Sequence, residues 1–252
     1  MSEPEEVLSG GNVAEEVVRV GATVRKPANP ATDSVDAFLK HLAALGFSGA
    51  PRSFGRDERD RHVLEYIPGS VSETQGAMSL ADLTRVGRLI RQLHDAAETF
   101  APPASARWNV VIAPDRKDLI CHHDLAPWNL VRDGDRWVFI DWDGAGPGSR
   151  LWDLAYAAHG FLPFAADGDP EHDAPRLRTL VDGYGLDRSQ RQDLPRHLVD
   201  RTRAMNQLLV DGARTGQEPW SRLHAAGHAE HWGPAADYIE ANVGTWTSAL
   251  LR

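Results

Sequence analysis

Two spacings of apolar residues follow one another along this chain, and their order limits the folds open to it. In the first part the pattern alternates. Val17-Val18-Arg19-Val20 and Ala22-Thr23-Val24-Arg25-Lys26 read as two strands around a Gly21 turn, closed by Pro27 and Pro30, and His62-Val63-Leu64-Glu65-Tyr66-Ile67 reads as another strand ended by Pro68-Gly69. One helix interrupts them: Val35, Phe38, Leu39, Leu42 and Leu45 share a face behind a cap at Asp33 or Ser34, and Gly46 stops it. Residues 1–8 form an acidic tail. Later the spacing becomes helical, beginning with Leu80, Leu83, Val86, Ile90 and Leu93 behind a Ser79 cap. A proline-bearing loop over 99–118 and two short strands, Leu119-Ile120 and Trp137-Val138-Phe139-Ile140, lead into helical patterns near 150–160, 173–184, 190–211 and 235–250. The last pattern has Pro234 at its start. Strands first and helices after predict an α+β fold, a small β-rich lobe followed by a helical one.

Composition narrows the function classes. The 252 residues carry a net charge of −9, with acids and bases interspersed, which disfavours nucleic acid and anionic membranes as partners. No apolar run reaches the roughly 20 residues of a membrane span. The N-terminal Met1-Ser2-Glu3-Pro4-Glu5-Glu6 is acidic and lacks an apolar signal core, and the single cysteine, Cys121, has no internal partner for a disulfide. The expected compartment is the cytoplasm.

The chemistry concentrates in Cys121-His122-His123-Asp124-Leu125-Ala126-Pro127-Trp128-Asn129 and in Phe139-Ile140-Asp141-Trp142-Asp143. Phosphoryl transfer asks a protein for a carboxylate that orients and deprotonates a hydroxyl, and for oxygen ligands that hold magnesium across the phosphates. An H-x-D-x-x-x-x-N loop followed by an aspartate after a short hydrophobic strand supplies that set: His122, Asp124 and Asn129 fill the loop and Asp141 follows the strand. Asn and Asp are hard oxygen ligands suited to Mg2+. A polar loop whose Asp and Asn merely serve turns would not be expected to carry the strand-borne Asp as well.

These segments resemble the aminoglycoside phosphotransferase family, the antibiotic and small-molecule branch of the kinase-like folds. His122 to Asn129 looks like that family's H-G-D-x-x-x-x-N loop, Ile140-Asp141-Trp142-Asp143 resembles its I-D-W-E segment, and Asp153-Leu154-Ala155 looks like its D-L-A. The resemblance is dense over 119–156 and thin at both ends. It implies a protein-kinase-like bilobal fold: a small antiparallel β-sheet lobe with one helix over 1–64, a hinge at 65–69, and a mainly helical lobe over 70–252 holding the catalytic loop and acceptor site. It further implies that Asp124 is the catalytic base, that Asn129 and Asp141 bind Mg2+, and that His122 and Asp153 brace the loop.

Upstream, Gly10 and Gly11 fit either a phosphate-covering turn or a plain flexible one. Arg25 or Lys26 stands where a kinase-like fold places its phosphate-pairing lysine. Strand alternation lets only one point inward, and residue identity favours Lys26 while the position of Pro27 favours Arg25. At the hinge the Glu65 carbonyl and the Ile67 N–H are expected to read the base of ATP or GTP. The sequence departs from the family in three places: His123 replaces a Gly, Asp143 a Glu, and Val35 stands where the helix acid that pairs the lysine belongs. The acceptor is expected to be a hydroxylated natural product, in a resistance or self-protection role. Asp143, Asp237 and Glu240 would favour a cationic one, because few bases accompany the carboxylates near 230–240. A catalytically idle kinase-like binding or immunity protein is the alternative. A zinc hydrolase built on His122, His123, Asp124 and Asp141 is a more distant one.

Overall fold

The computed structural model describes residues 4–8, 17–162 and 164–252. In chain order the elements are β1 (Glu6–Val7), β2 (Val18–Val20), β3 (Thr23–Pro27), α1 (Thr32–Ala44), β4 (Ser53–Arg56), β5 (Arg61–Glu65), β6 (Ser70–Val71) and α2 (Leu80–Ala97). They continue with β7 (Leu119–Cys121), β8 (Leu130–Asp133), β9 (Arg136–Phe139), β10 (Gly146–Gly148), α3 (Arg150–Phe161), α4 (Pro170–Tyr184), α5 (Arg188–Thr215), α6 (Trp220–Ala225), α7 (His228–Ala241) and α8 (Val243–Leu251). The α+β fold is the one expected. Contacts group the chain into two compact units, one comprising residues through Gly76 with Leu93–Val111 and Asp118–Pro147, the other Ala77–Gln92, Ile112–Lys117 and Gly148–Arg252.

The first unit is built on a five-stranded antiparallel sheet of order β1-β2-β3-β5-β4. Gly21, at φ 57°, makes the β2–β3 turn that a side chain would disfavour. The alternating residues of β3 and β5 are in register, Arg25 opposite Val63 and Lys26 opposite His62. A second sheet, β6-β8-β9, connects Asn129 to Asp141, with Ile67, Val131 and Val138 as its core. Helix α1 buries Val35, Phe38, Leu39 and Leu42, and Phe38 packs edge-on to Trp142 at 5.9 Å. The Phe139 N–H donates to the Gly49 carbonyl at 2.9 Å, tying β9 to the linker after α1.

The second unit is helical. Helices α2 and α4 cross closely: a Cβ on Gly87 would lie 2.2 Å from the Leu180 carbonyl oxygen, and one on Gly183 would lie 2.4 Å from that of Thr84. α5 is entered through a reciprocal capping box of Asp187 and Gln190.

Several local expectations are corrected. α1 starts at Thr32, ahead of both expected caps, because Asn29 Oδ1 accepts from the Ala31 N–H (2.8 Å) while Thr32 Oγ1 accepts from the Asn29 N–H (2.9 Å). Asp33 instead pairs with Arg56, and Ser34 Oγ accepts from the Arg107 N–H. Leu45 and Leu80 lie outside their stripes, 54% and 51% exposed, because each sits at a helix end where the packed face runs out. The short strands β1, β4, β6 and β8 have too few alternations to be read locally. The pattern over 235–250 is two helices: α7 begins after Gly227, carries Pro234 inside it, and gives way to α8 at Asn242.

Candidate active site

Lys26 is the inward residue of β3. Its ammonium is buried and lies 3.0 Å from Asp141 Oδ1 and 2.6 Å from Asp143 Oδ2. Arg25, on the opposite face, pairs with Asp57 at 3.4 Å. Burial alone would push the Lys26 ammonium down, but the two aspartates outweigh it and hold its pKa above the ordinary value. For Asp141 burial pushes the carboxyl up, and the charge and hydrogen bond of Lys26 overcome that to leave it below the usual carboxylate range.

The missing acid on α1 explains this pairing. Val35 is buried and cannot pair. Asp36, the next residue, is engaged by Lys40 at 2.8 Å and by Ser53 Oγ at 2.7 Å, and that same hydroxyl lies 2.8 Å from His62 Nε2. Lys26 therefore takes both acids of the Asp141-Trp142-Asp143 segment. The sequence signal for this pair was Val35 itself, since a buried lysine denied its helix partner must find a counter-charge elsewhere.

The loop from His122 to Asn129 is held from inside. The His122 Nδ1 accepts from the Asp124 N–H (3.2 Å), so its Nε2 carries the hydrogen that is donated to the Ile140 carbonyl (3.0 Å). One imidazole thus links the loop to the strand end that presents Asp141. Asn129 Nδ2 donates to Asp124 at both its carbonyl (3.0 Å) and its Oδ2 (2.7 Å), so Oδ1, the ligand end of the amide, makes neither bond. The Ile140 N–H donates to the Asn129 carbonyl at 2.8 Å. Two residues here have left-handed backbone, His123 at φ 67° and Asp141 at φ 60°. The first stands where a Gly is usual, and its Nε2, within 3.2 Å of the Gly146 carbonyl and 3.1 Å of that of Pro147, fixes the ring as a donor. The second turns the Asp141 carboxylate out of the strand direction of β9.

Two carboxylates, Asp141 and Asp143, meet one ammonium, Lys26, and the Asn129 amide adjoins a third carboxylate, Asp124. That acid surplus, together with the amide oxygen of Asn129, is the donor chemistry a hard divalent cation requires.

The remaining sequence-derived positions fare differently. Gly10 and Gly11 lie outside the described residues. The Glu65 side chain is clamped by Arg136 through two hydrogen bonds (2.7 and 3.0 Å) and accepts from the Arg52 N–H, and the Glu65 N–H donates to the Arg52 carbonyl (2.9 Å); Ile67 is buried beside Val131 and Val138. Asp153 is fully buried in the first turn of α3, which Ser149 caps. Asp237 and Glu240 are not poor in basic neighbours, because α5 packs on α7 and brings Arg203 to both of them and Arg196 to within 3.8 Å of Glu240. Among the described residues, the aromatics Trp232, Tyr238 and Trp246 pack against Tyr156, His159 and Phe164. Cys121 is fully buried. No helix among the described residues is long and apolar enough to cross a membrane.

The model of a phosphotransferase enzyme family, APH, matches residues 104–197. The chain is 33% identical over 201 residues to the trifolitoxin immunity protein of Rhizobium leguminosarum bv. trifolii, covering 74% of this chain and 77% of that one. Among solved structures, an amicoumacin kinase in complex with AMP-PNP and calcium aligns with a TM-score of 0.68 at 14% identity, over 94% of this chain and 88% of that one. The choline/ethanolamine kinase family protein of Mesorhizobium loti aligns at 0.61 and 15% identity, over 98% and 92%. These likenesses carry the kinase-like fold.

Proposed function

Because the chain belongs to the phosphotransferase enzyme family, we propose that it transfers the γ-phosphoryl group of ATP or GTP to a hydroxyl of a small molecule, with Mg2+. The observation that carries this reading is one set of side chains in the first unit: Lys26 bonded to Asp141, and Asn129 bonded to Asp124. In the reaction Asp124 orients the acceptor hydroxyl and takes its proton. Lys26 pairs with phosphate oxygens, and Asn129 Oδ1 and Asp141 hold the metal. Magnesium, when bound, offsets the charge on the β- and γ-phosphates. The His122 imidazole keeps the loop in shape, and the Glu65 carbonyl and the Ile67 N–H receive the base. The acceptor is a hydroxylated natural product, and its modification in the cytoplasm serves resistance or self-protection.

A second reading, a binding protein that confers immunity without turnover, is favoured by the name of the 33% identical relative. The two are separated by transfer of label from γ-labelled ATP or GTP to a panel of hydroxylated antibiotics, amino alcohols and peptide toxins. Catalysis predicts a labelled acceptor, and Asp124→Asn should lower turnover roughly 10²–10⁴-fold while nucleotide still binds. Stoichiometric acceptor binding with no labelled product would remove the catalytic reading, and full turnover by Asp124→Asn would remove Asp124 as the base.

A further inference from the structure

A basic hollow lies on the second unit, where α8 packs against both α4 and α5. Its volume is about 290 Å³. Arg178 and Asp182 of α4 and Arg188 and Arg191 of the first turn of α5 line it, closed by Leu250 and Leu251 at the end of α8 with Arg252 beyond them. The whole chain carries −9, yet here three arginines meet one aspartate before Arg252 is counted. None of the residues assigned to phosphoryl transfer lines this hollow.

The arginines are engaged to different degrees. Arg191 is fixed: its Nε donates to the Leu186 carbonyl (2.9 Å), and its Nη1 reaches the Leu250 carbonyl (3.2 Å) and Asp182 Oδ1 (2.6 Å). Its Nη2 makes none of these bonds, so one edge of a guanidinium held in place faces no partner among them. Arg178 meets Asp182 through Nε, at 3.4 Å, which leaves its two terminal nitrogens outside that contact. Arg188 has no hydrogen bond or ion pair among the described residues, and its neighbour Asp187 is engaged by the Gln190 N–H at 2.8 Å. Asp182 is shared between Arg178 and Arg191 and offsets one charge, so three arginines against one aspartate leave a surplus of two.

That surplus sets the class of the occupant. A guanidinium donates and never accepts, so the occupant must accept. Weak hydration and a planar fork make arginine a favoured partner of phosphate. A phosphate group offers three oxygens and about −1.5 to −2 charges at neutral pH, which meets a surplus of two. A carboxylate brings two oxygens and a single charge and would leave part of that surplus unmet. The hollow also leaves room for a small organic group against Leu250 and Leu251.

We propose that the hollow between α4, α5 and α8 binds a phosphate dianion, free or as the monoester of a small molecule, held by Arg178, Arg188 and Arg191. The site lies wholly within the second unit and does not rest on the phosphotransferase reading.

The test titrates the full chain, without nucleotide or Mg2+, with inorganic phosphate, glycerol 2-phosphate and acetate at neutral pH and fixed ionic strength. Calorimetry and backbone amide NMR shifts follow the binding. One saturable phosphate site is expected, with shifts centred on residues 178–191 and 250–252 and acetate at least about tenfold weaker, the scale of one charge-assisted contact. Arg188→Gln removes a side chain with no partner, so it should weaken phosphate about tenfold and leave the melting temperature unchanged. Arg191→Gln should weaken it as well. Should that variant not fold, because its ties to Leu186 and Leu250 are lost, Arg178→Gln supplies the second reading with the same expected loss. Tighter binding of glycerol 2-phosphate than of inorganic phosphate assigns the monoester; equal or weaker binding assigns the free ion. No saturable binding, acetate bound as tightly as phosphate, unchanged affinity in Arg188→Gln, or shifts centred on residues 122–141 would overturn the site.

Discussion

A single buried ammonium organises the candidate active site. Lys26 holds Asp141 and Asp143 together, and removing it would leave two carboxylates to repel each other across the position proposed for phosphate and metal. Arg25, one residue away on the same strand, meets Asp57 on the other face. Lys26→Met is therefore expected to weaken Mg2+-nucleotide binding by about tenfold or more, the scale of one charge-assisted contact, while Arg25→Met stays within about twofold. Isothermal titration with both nucleotides checks this, and equal losses in the two variants would return both residues to a structural role. His123 and Asp141 make a related point. Their left-handed backbone is adopted where Asp and His are tolerated better than β-branched residues, and each is held by neighbouring contacts rather than by its own preference.

Among elements, α1 illustrates how a helix start escapes local reading. Asp33 and Ser34 have cap chemistry, yet both are engaged elsewhere and the turn is set by Asn29 with Thr32. Asn29→Ala should lower stability by about 1 kcal/mol, the usual worth of such a side-chain to backbone bond, whereas Asp33→Ala loses only a surface ion pair of about 0–1 kcal/mol. Urea unfolding of the two variants decides between them; a larger loss in Asp33→Ala would reassign the start. The β8–β9 hairpin and the loop before it were readable to different degrees. The Asp133-Gly134-Asp135 turn announces the hairpin, with Gly134 at φ 54°, but β8 directly follows Asn129 and so is hidden inside the motif.

For the whole molecule, acid is the sensitive direction. Burial works against ionisation in Asp36, Asp57 and Asp141, and hydrogen bonds and ion pairs overcome it; in Glu65 the Arg136 bond leads. All four carboxyls are lowered in the folded state, so the stability they add is present above the unfolded carboxylate range and is lost as pH falls through it. His159 acts earlier. The unfolded imidazole takes a proton below its ordinary 6.5, while the buried one stays neutral down to about 3, so stability declines below pH 6.5 by up to ~1.4 kcal/mol per pH unit. Lys26 is raised and contributes until pH climbs through its folded value. Melting temperature should thus fall between pH 6.5 and 4.5, and His159→Phe should flatten that interval specifically. Parallel curves for wild type and variant would refute the assignment to His159.

What the sequence determined by itself is local or ordered along the chain. The change from alternating to helical spacing fixed the fold class, since each period buries only one kind of face. The order of His122, Asp124, Asn129 and Asp141 marked the candidate site, because phosphoryl transfer needs those groups on one loop and the strand beside it. Tertiary structure alone decided the partners. Lys26 and Asp141 are 115 residues apart, and nothing in the alternation of β3 chooses Asp141 and Asp143 over an acid on α1. Arg203 reaches Asp237 and Glu240 only because α5 packs on α7, and Arg191 meets Asp182 and the Leu250 carbonyl only because α8 packs on both α4 and α5. Coulomb and hydrogen-bond energies depend on distance in space, and that distance exists only after the helices and sheets have packed.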